Sequence, residues 1–115
     1  MNLVQDWINY YKTDDEQFWP AVDHVMDLVS SDPEALWIFI KETVNSAESN
    51  DRVIENLAAG PLEDLMNTKG KKFIDRVVEE ARRSKKFNNL LGGVWENDID
   101  PKVWKQIESV RKEAW

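Results

Sequence analysis

Apolar residues recur along the chain at spacings of three and four, the period of an α-helix, and no run alternates as a strand does between turns. The first predicted helix runs from Leu3 to Lys12. Its apolar side consists of Leu3, Val4, Trp7, Ile8 and Tyr11. The same period continues to the end of the chain, so the pattern predicts an all-α fold.

Two starts fit the second helix. Thr13 and Glu16 have the spacing of a capping box, but a helix that begins there holds Pro20 in its interior. A start near Trp19 places Pro20 in the first turn, where proline is tolerated. The pattern does not decide between them. In both cases the predicted apolar stripe is Phe18, Val22, Val25, Met26 and Val29, with Asp23 and Asp27 on the solvated side.

Start and stop signals mark the later helices. Asp32 before Pro33 and Asp100 before Pro101 are typical of helix N-termini, because aspartate accepts backbone N–H groups and proline suits the first turn. Gly60-Pro61 predicts a break with a new direction. Further signals are a stop at Gly70, a long helix through residues 73–81, a short turn at residues 87–91 and a stop at Gly92-Gly93. They predict one domain over residues 1–115, with six or seven short helices in an irregular bundle or a short helical-repeat-like array.

The composition suits a single globular domain. With 115 residues, 42% of them hydrophobic, the chain can form a core without metals or disulfides. Cysteine is absent, which excludes disulfides, thiol nucleophiles and Cys-ligated metal sites. The N-terminal residues lack the pattern of a secretory signal, and no run approaches the roughly 20 apolar residues of a membrane span. We expect a soluble, cytoplasmic protein with no membrane association and no cofactor.

Charge is unevenly distributed along the chain. The net charge is −7, yet residues 1–64 hold 14 acidic and 3 basic residues, whereas residues 65–95 hold 3 acidic and 8 basic ones. The overall negative charge disfavours nucleic-acid binding by phosphate neutralisation. An acidic surface in the first half, which also includes Asp32 and Glu34, can attract a protein with a basic surface. The predicted partner-binding residues are Asp14, Asp15, Glu16, Trp19, Asp23 and Asp27.

The basic stretch comprises Lys69, Lys71, Lys72, Arg76, Arg82, Arg83, Lys85 and Lys86. Acidic residues interrupt it, and Glu79 is spaced to pair with Arg82 or Arg83. A solvated helix, or contact with the acidic half of a second copy, therefore explains this stretch better than nucleic-acid binding does.

Catalytic residue patterns are sparse. Asp23, His24 and Asp27 lie along one helix edge, but two carboxylates and one imidazole leave most of a metal shell unfilled. The chain has one histidine and no nucleophile-elbow pattern, which gives hydrolase chemistry little support. Glu63 and Asp64 adjoin an interrupted apolar segment, where a carboxylate suits helix capping or the anchoring of a neighbouring backbone better than acid–base catalysis.

The chain has six tryptophans, a residue type that fills cores and also anchors interfaces. Trp37 and Trp104 coincide with apolar helix faces and are predicted to be core residues. The pattern constrains Trp19 and the terminal Trp115 less, so these two are the predicted exposed anchors.

Residues 57–65, Leu-Ala-Ala-Gly-Pro-Leu-Glu-Asp-Leu, are followed by Gly70, by Phe73-Ile74-Asp75 and by Leu-Leu-Gly-Gly-Val-Trp at residues 90–95. Over roughly residues 33 to 112 the chain resembles a bacterial family of unknown function, a small helical domain with an Ala-Gly-Pro-Leu-Glu-Asp-Leu signature. The resemblance implies a helical bacterial protein and a shared structural role for Gly60, Pro61, Glu63 and Asp64. It implies no reaction, substrate or cofactor.

Small size, negative charge, sparse catalytic patterns and many tryptophans together favour a non-enzymatic interaction protein. The hypothesis is an immunity or inhibitor protein that masks a basic surface on a bacterial toxin or nuclease. The main alternative is a self-associating helical scaffold, a homo-oligomer in which acidic and basic portions meet. The third is a metal-assisted hydrolase built on Asp23, His24 and Asp27.

Overall fold

Seven α-helices make up most of the chain in the computed structural model, which describes residues 1–115. They are α1 (Leu3–Thr13), α2 (Trp19–Ser31), α3 (Pro33–Asn45), α4 (Asp51–Leu57), α5 (Glu63–Arg83), α6 (Lys85–Leu91) and α7 (Pro101–Val110). A 3-10 turn at Glu16–Phe18 precedes α2, and a π-helical turn at Ala58–Leu62 joins α4 to α5. No strand is present, so the predicted all-α fold is confirmed. None of the helices is long and apolar enough to cross a bilayer.

The helix starts follow the capping signals of the sequence. Asp32 accepts the backbone N–H of Ala35 at 3.1 Å, and Asp100 accepts that of Lys102 at 2.9 Å, so both Asp-Pro starts are confirmed. Helix α2 begins at Trp19 with Pro20 in its first turn. The alternative capping box at Thr13 does not form.

One hydrophobic core of 28 buried residues joins all seven helices, and the molecule measures 39 × 27 × 22 Å. The longest helix, α5, packs against α2, α3, α6 and α7. Aromatic rings link the layers: the Trp37 ring meets that of Phe87 edge-on, with centroids 5.5 Å apart. Trp37 is buried as predicted. Trp104 is only partly buried, with the Arg111 guanidinium 4.8 Å from its ring centroid.

Two glycine signals mark irregular points in the helices, although neither ends the helical path of the chain. The backbone stays helical through Gly60, which does not take the left-handed conformation of a helix end. The chain instead passes Pro61 in a π-helical turn, a form that often marks a local irregularity in an α-helix. The stop predicted at Gly70 corresponds to a kink: Lys69 has non-helical dihedral angles (φ −128°, ψ 21°), and α5 continues as a second helical segment after it. A Cβ on Gly70 would lie 3.1 Å from Val103 Cγ1, so glycine here allows α7 to approach closely.

Candidate functional site

The outer face of α2 combines exposed apolar and acidic side chains. Trp19 and Met26 are 39% and 56% exposed. Asp23 and Asp27 are exposed beside them, about 40° apart around the helix. Glu16 is exposed on the preceding 3-10 turn. We call these five residues the α2 surface. Its carboxylates form no ion pair with any lysine or arginine of the chain.

The turn before α2 fixes the position of this surface. Asp15 accepts the backbone N–H of Gln17 at 3.0 Å and its side-chain amide at 2.7 Å, and these hydrogen bonds lower the pKa of Asp15. The Trp19 ring packs edge-on against Tyr10 of α1, with centroids 5.4 Å apart. Asp15 therefore shapes the turn, while Tyr10 orients the exposed indole.

Two acidic residues of the predicted surface bind arginines of the same chain. Asp14 lies at the left-handed C-terminus of α1, and its carboxylate receives two hydrogen bonds from Arg52, at 2.6 and 2.9 Å. Glu34 is bound in the same bidentate way by Arg76, at 2.7 and 2.9 Å. The hydrogen bonds from these arginines lower the pKa of both carboxyl groups. Their negative charge is thus largely compensated within the fold.

A small apolar cleft of about 60 Å³ adjoins the α2 surface. It is lined by Trp7, Tyr11, Val22, Val25, Met26, Val29, Leu36, Gly60, Pro61 and Asp64. Asp64 is the one charged residue in this lining, and no ion pair or side-chain hydrogen bond engages it. Partial burial raises its pKa, although the side chain still reaches solvent. The cleft is far smaller than a substrate pocket of roughly 300 Å³ or more.

Glu63 anchors the loop between α6 and α7. Its carboxylate accepts the backbone N–H of Trp95 at 3.3 Å and a hydrogen bond from the side-chain amide of Asn97. The interpretation that a carboxylate here anchors a neighbouring backbone is therefore confirmed for Glu63. Trp95 is 68% exposed, more than any other tryptophan of the chain, and it was not among the predicted anchors. Its position in a polar loop outside every helical stripe was the available signal.

The C-terminal Trp115 is half exposed, at 50%, and the other half of its surface packs within the chain. Its backbone N–H donates to Gly92 O at 2.8 Å, and its indole covers Gly92 and Gly93. Gly92 and Gly93 therefore have two roles: they follow the end of α6, and they form the platform on which this ring rests. As a partner anchor, Trp115 is less free than Trp95, which is 68% exposed.

The three residues of the hydrolase alternative lie exposed on α2, and no side-chain hydrogen bond links His24 to Asp23 or Asp27. The chain contains no group of three or more histidine or acidic side chains placed to hold a metal ion. The geometry brings no further ligand to this helix edge.

Comparison with known proteins places the chain in a family. The model of a family of unknown function, DUF6869, matches residues 9–115, so the chain belongs to this family. No curated protein and no solved structure matches the chain significantly.

Proposed function

We propose that this member of the family is a non-enzymatic, cytoplasmic bacterial protein that docks a basic protein surface against its α2 surface. In this role it acts as an immunity or inhibitor protein toward a toxin or nuclease. The observation that supports the proposal is the presence of three unpaired carboxylates, Glu16, Asp23 and Asp27, beside exposed Trp19 and Met26. Other acidic side chains of the same half, such as Asp14 and Glu34, are bound by arginines.

The two kinds of side chain on this surface have complementary roles. Unpaired carboxylates attract a cationic partner over several ångströms, raise the association rate and disfavour partners of like charge. Exposed tryptophan and methionine supply apolar area at the contact, where tryptophan often contributes most of the binding energy. The neighbouring cleft adds Asp64 at the edge of an apolar slot. A lysine or arginine of the partner suits this slot, because its aliphatic stem can contact Met26 while its charged end meets the carboxylate.

Charge reversal at three positions tests the proposal. The test variant carries Glu16→Lys, Asp23→Lys and Asp27→Lys. Asp14 and Asp15 stay unchanged, because their substitution would also break the Arg52 ion pair or the 3-10 turn. The matched control carries Glu42→Lys, Glu55→Lys and Glu108→Lys, which change the net charge equally at exposed, unpaired positions outside the α2 surface.

Candidate toxins are to be taken from the genes that neighbour the coding sequence. The assay measures how strongly the parent, the test variant and the control inhibit each toxin, and how fast each of them associates with it. We expect the test variant to associate at least about tenfold more slowly than the control at low salt, because electrostatic steering is lost. Equal inhibition by both variants would refute the role of the α2 surface. A partner with an acidic contact surface would refute the proposed chemistry.

Self-association is the second candidate, and it is favoured by cations that have no acidic partner within the chain, among them Arg82, Lys85 and Lys86. Sedimentation velocity at low and high salt distinguishes the two functions. A scaffold predicts a dimer that dissociates at high salt, forms in the control variant and does not form in the test variant. This result would support binding of the α2 surface to the basic portion of another copy.

A further inference from the structure

The fold divides the basic stretch of residues 69–86 into two parts. In the first part, Lys71 lies 3.5 Å from Asp100, and Arg76 and Lys72 lie 2.7 and 4.0 Å from Glu34. These cations connect α5 to α7 and α3. In the second part, at the end of α5, Arg83 pairs with Glu80, but other cations remain without an acidic partner. In the first part only Lys69 has no acidic partner, whereas in the second part Arg82, Lys85 and Lys86 have none.

Arg82 and Lys85 line a cleft with a volume of about 580 Å³. The cleft lies between the end of α5, helix α6 and the segment after α7. It is lined by Ala81, Arg82, Arg83, Lys85, Asn88, Asn89, Val110, Lys112 and Glu113. We call it the basic cleft. Arg82, Lys85 and Lys112 are exposed and have no carboxylate within 4.0 Å, although the chain carries 22 acidic residues.

A buried amide holds the walls of this cleft together. The Asn88 side chain is only 6% exposed. Its amide nitrogen donates to Ala81 O at 3.2 Å and to Val110 O at 3.0 Å, and its oxygen accepts the backbone N–H of Lys112 at 2.9 Å. One side chain thereby links α5, α6 and the segment after α7. The cations from both walls are therefore carried on a connected framework, which lowers the entropic cost of gathering them around a ligand.

We propose that the basic cleft binds a small polyanion that carries phosphate or carboxylate groups. Unpaired like charges that converge on one cleft repel one another, and a multivalent anion relieves this repulsion through charge-assisted hydrogen bonds. Arg82 and Lys85 approach the anion from one side and Lys112 from the other, while the exposed Asn89 offers an amide N–H. The volume is that of a small-molecule site, and the polar lining suits a charged ligand rather than an apolar one.

A small anion fits better than a nucleic-acid strand. The lining contains no aromatic residue on which bases could stack. The net charge of −7 also repels an extended polyanion, whereas a small ligand meets mainly the local positive field. None of the lining residues belongs to the α2 surface, so this site stands independently of the proposed docking function.

Calorimetric titration at constant ionic strength tests the proposal, with inorganic pyrophosphate in one arm and citrate in the other. Two test proteins carry Arg82→Gln with Lys85→Gln, and Lys112→Gln alone, so that each wall is examined separately. The control carries Lys102→Gln with Lys105→Gln, a pair of exposed, unpaired lysines on α7 that lies outside the cleft. Urea unfolding of every variant establishes that the fold is retained.

We expect saturable binding of at least one anion to the parent chain, with one site per molecule. The double variant is expected to weaken it about tenfold or more and Lys112→Gln about threefold, because each loses charge-assisted hydrogen bonds. The control is expected to change the affinity by less than about twofold, as distant surface charges do. Tighter binding of pyrophosphate would identify a phosphate ligand, and tighter binding of citrate a carboxylate ligand.

Four results would overturn the proposal. They are the absence of saturable binding up to about 10 mM anion, an equal loss in the control, no effect of Lys112→Gln, and displacement of pyrophosphate by a single-stranded RNA oligonucleotide of higher affinity. An unchanged affinity for Lys112→Gln would mean that the anion contacts the end of α5 and not the cleft.

Discussion

Substitution of Gly93 by alanine tests the platform on which Trp115 rests. A Cβ at Gly93 would lie 2.8 Å from the Cβ of Ala58 and would overlap the indole ring of Trp115. Gly93 does not have a positive φ, so the backbone itself accepts alanine. The expected consequence is displacement of the ring and loss of the contact that holds the C-terminal segment on the end of α6.

The size of the effect follows from the buried area. Trp115 is 50% exposed, so about 100 Å² of an indole side chain of about 200 Å² is removed from water, worth at most about 2.5 kcal/mol. Alanine in place of glycine restores about 0.4–1 kcal/mol by restricting the unfolded chain. The overlap with the Ala58 Cβ adds up to about 1 kcal/mol, so Gly93→Ala is expected to lower the free energy of unfolding by about 1.5–3 kcal/mol.

Urea unfolding of four proteins isolates the ring contact: the parent, Gly93→Ala, Trp115→Ala and the double variant. Without the indole, Gly93→Ala is expected to cost about 1 kcal/mol or less, since only the Ala58 contact remains. Gly60→Ala is the control, because no atom lies within 4 Å of its added Cβ, and it is expected to stabilise the chain. An equal cost of Gly93→Ala with and without Trp115 would refute the assignment of a platform.

Three further substitutions give measurable changes in stability or titration. Arg76→Gln is expected to raise the pKa of Glu34 toward its ordinary value, as measured by NMR titration. In the parent, the depressed pKa stabilises the fold above the unfolded-state pKa, and this gain is lost as the pH falls through the folded-state pKa. The variant lacks this gain, so its stability should fall less steeply in acid. Burial raises the pKa of Asp64, so ionisation of this carboxyl opposes folding, and Asp64→Asn should be more stable than the parent at neutral pH, with the difference vanishing below the ordinary carboxyl pKa. Asp32→Ala removes the cap of α3 and should lower the free energy of urea unfolding by about 1 kcal/mol. Asp32→Ser should keep most of the stability of the parent, because serine also caps helices.

Features set by local sequence were predictable, because their causes lie within a few residues. Asp32 and Asp100 cap helices through bonds to backbone groups two or three positions away, and the periodic stripes identify most buried faces. Features that depend on a distant partner were not. Gly70 was interpreted as a stop, yet its role is to admit Val103 of α7. Met26 lies beside the buried face of α2, but no neighbouring helix covers it, and 56% of it stays exposed.

The candidate site was predictable in composition but not in outline. The acidic first half is evident from the sequence, but the compensation of Asp14 by Arg52 requires that α4 lie beside the end of α1, a contact between residues 38 positions apart. The same holds for Glu34 and Arg76, which are 42 positions apart. Asp64 was predicted to have a structural role. Its place beside the apolar cleft could not be predicted, because it depends on how α1, α2 and the π-helical turn meet.

The ion pairs also distinguish the charges that hold the fold together from those left free for a ligand. Lys12 with Glu48, Arg52 with Asp14, Arg76 with Glu34 and Lys71 with Asp100 each connect different parts of the chain. Exposed pairs of this kind add little stability one by one, yet they remove charge from the surface where helices meet. Among the charges that stay unpaired are the carboxylates of the α2 surface and three cations of the basic cleft, Arg82, Lys85 and Lys112. Salt should weaken binding at both regions, because both bind through charge. Because the two regions share no residue, charge reversal on α2 should leave the affinity of the cleft for pyrophosphate within about twofold of the parent value.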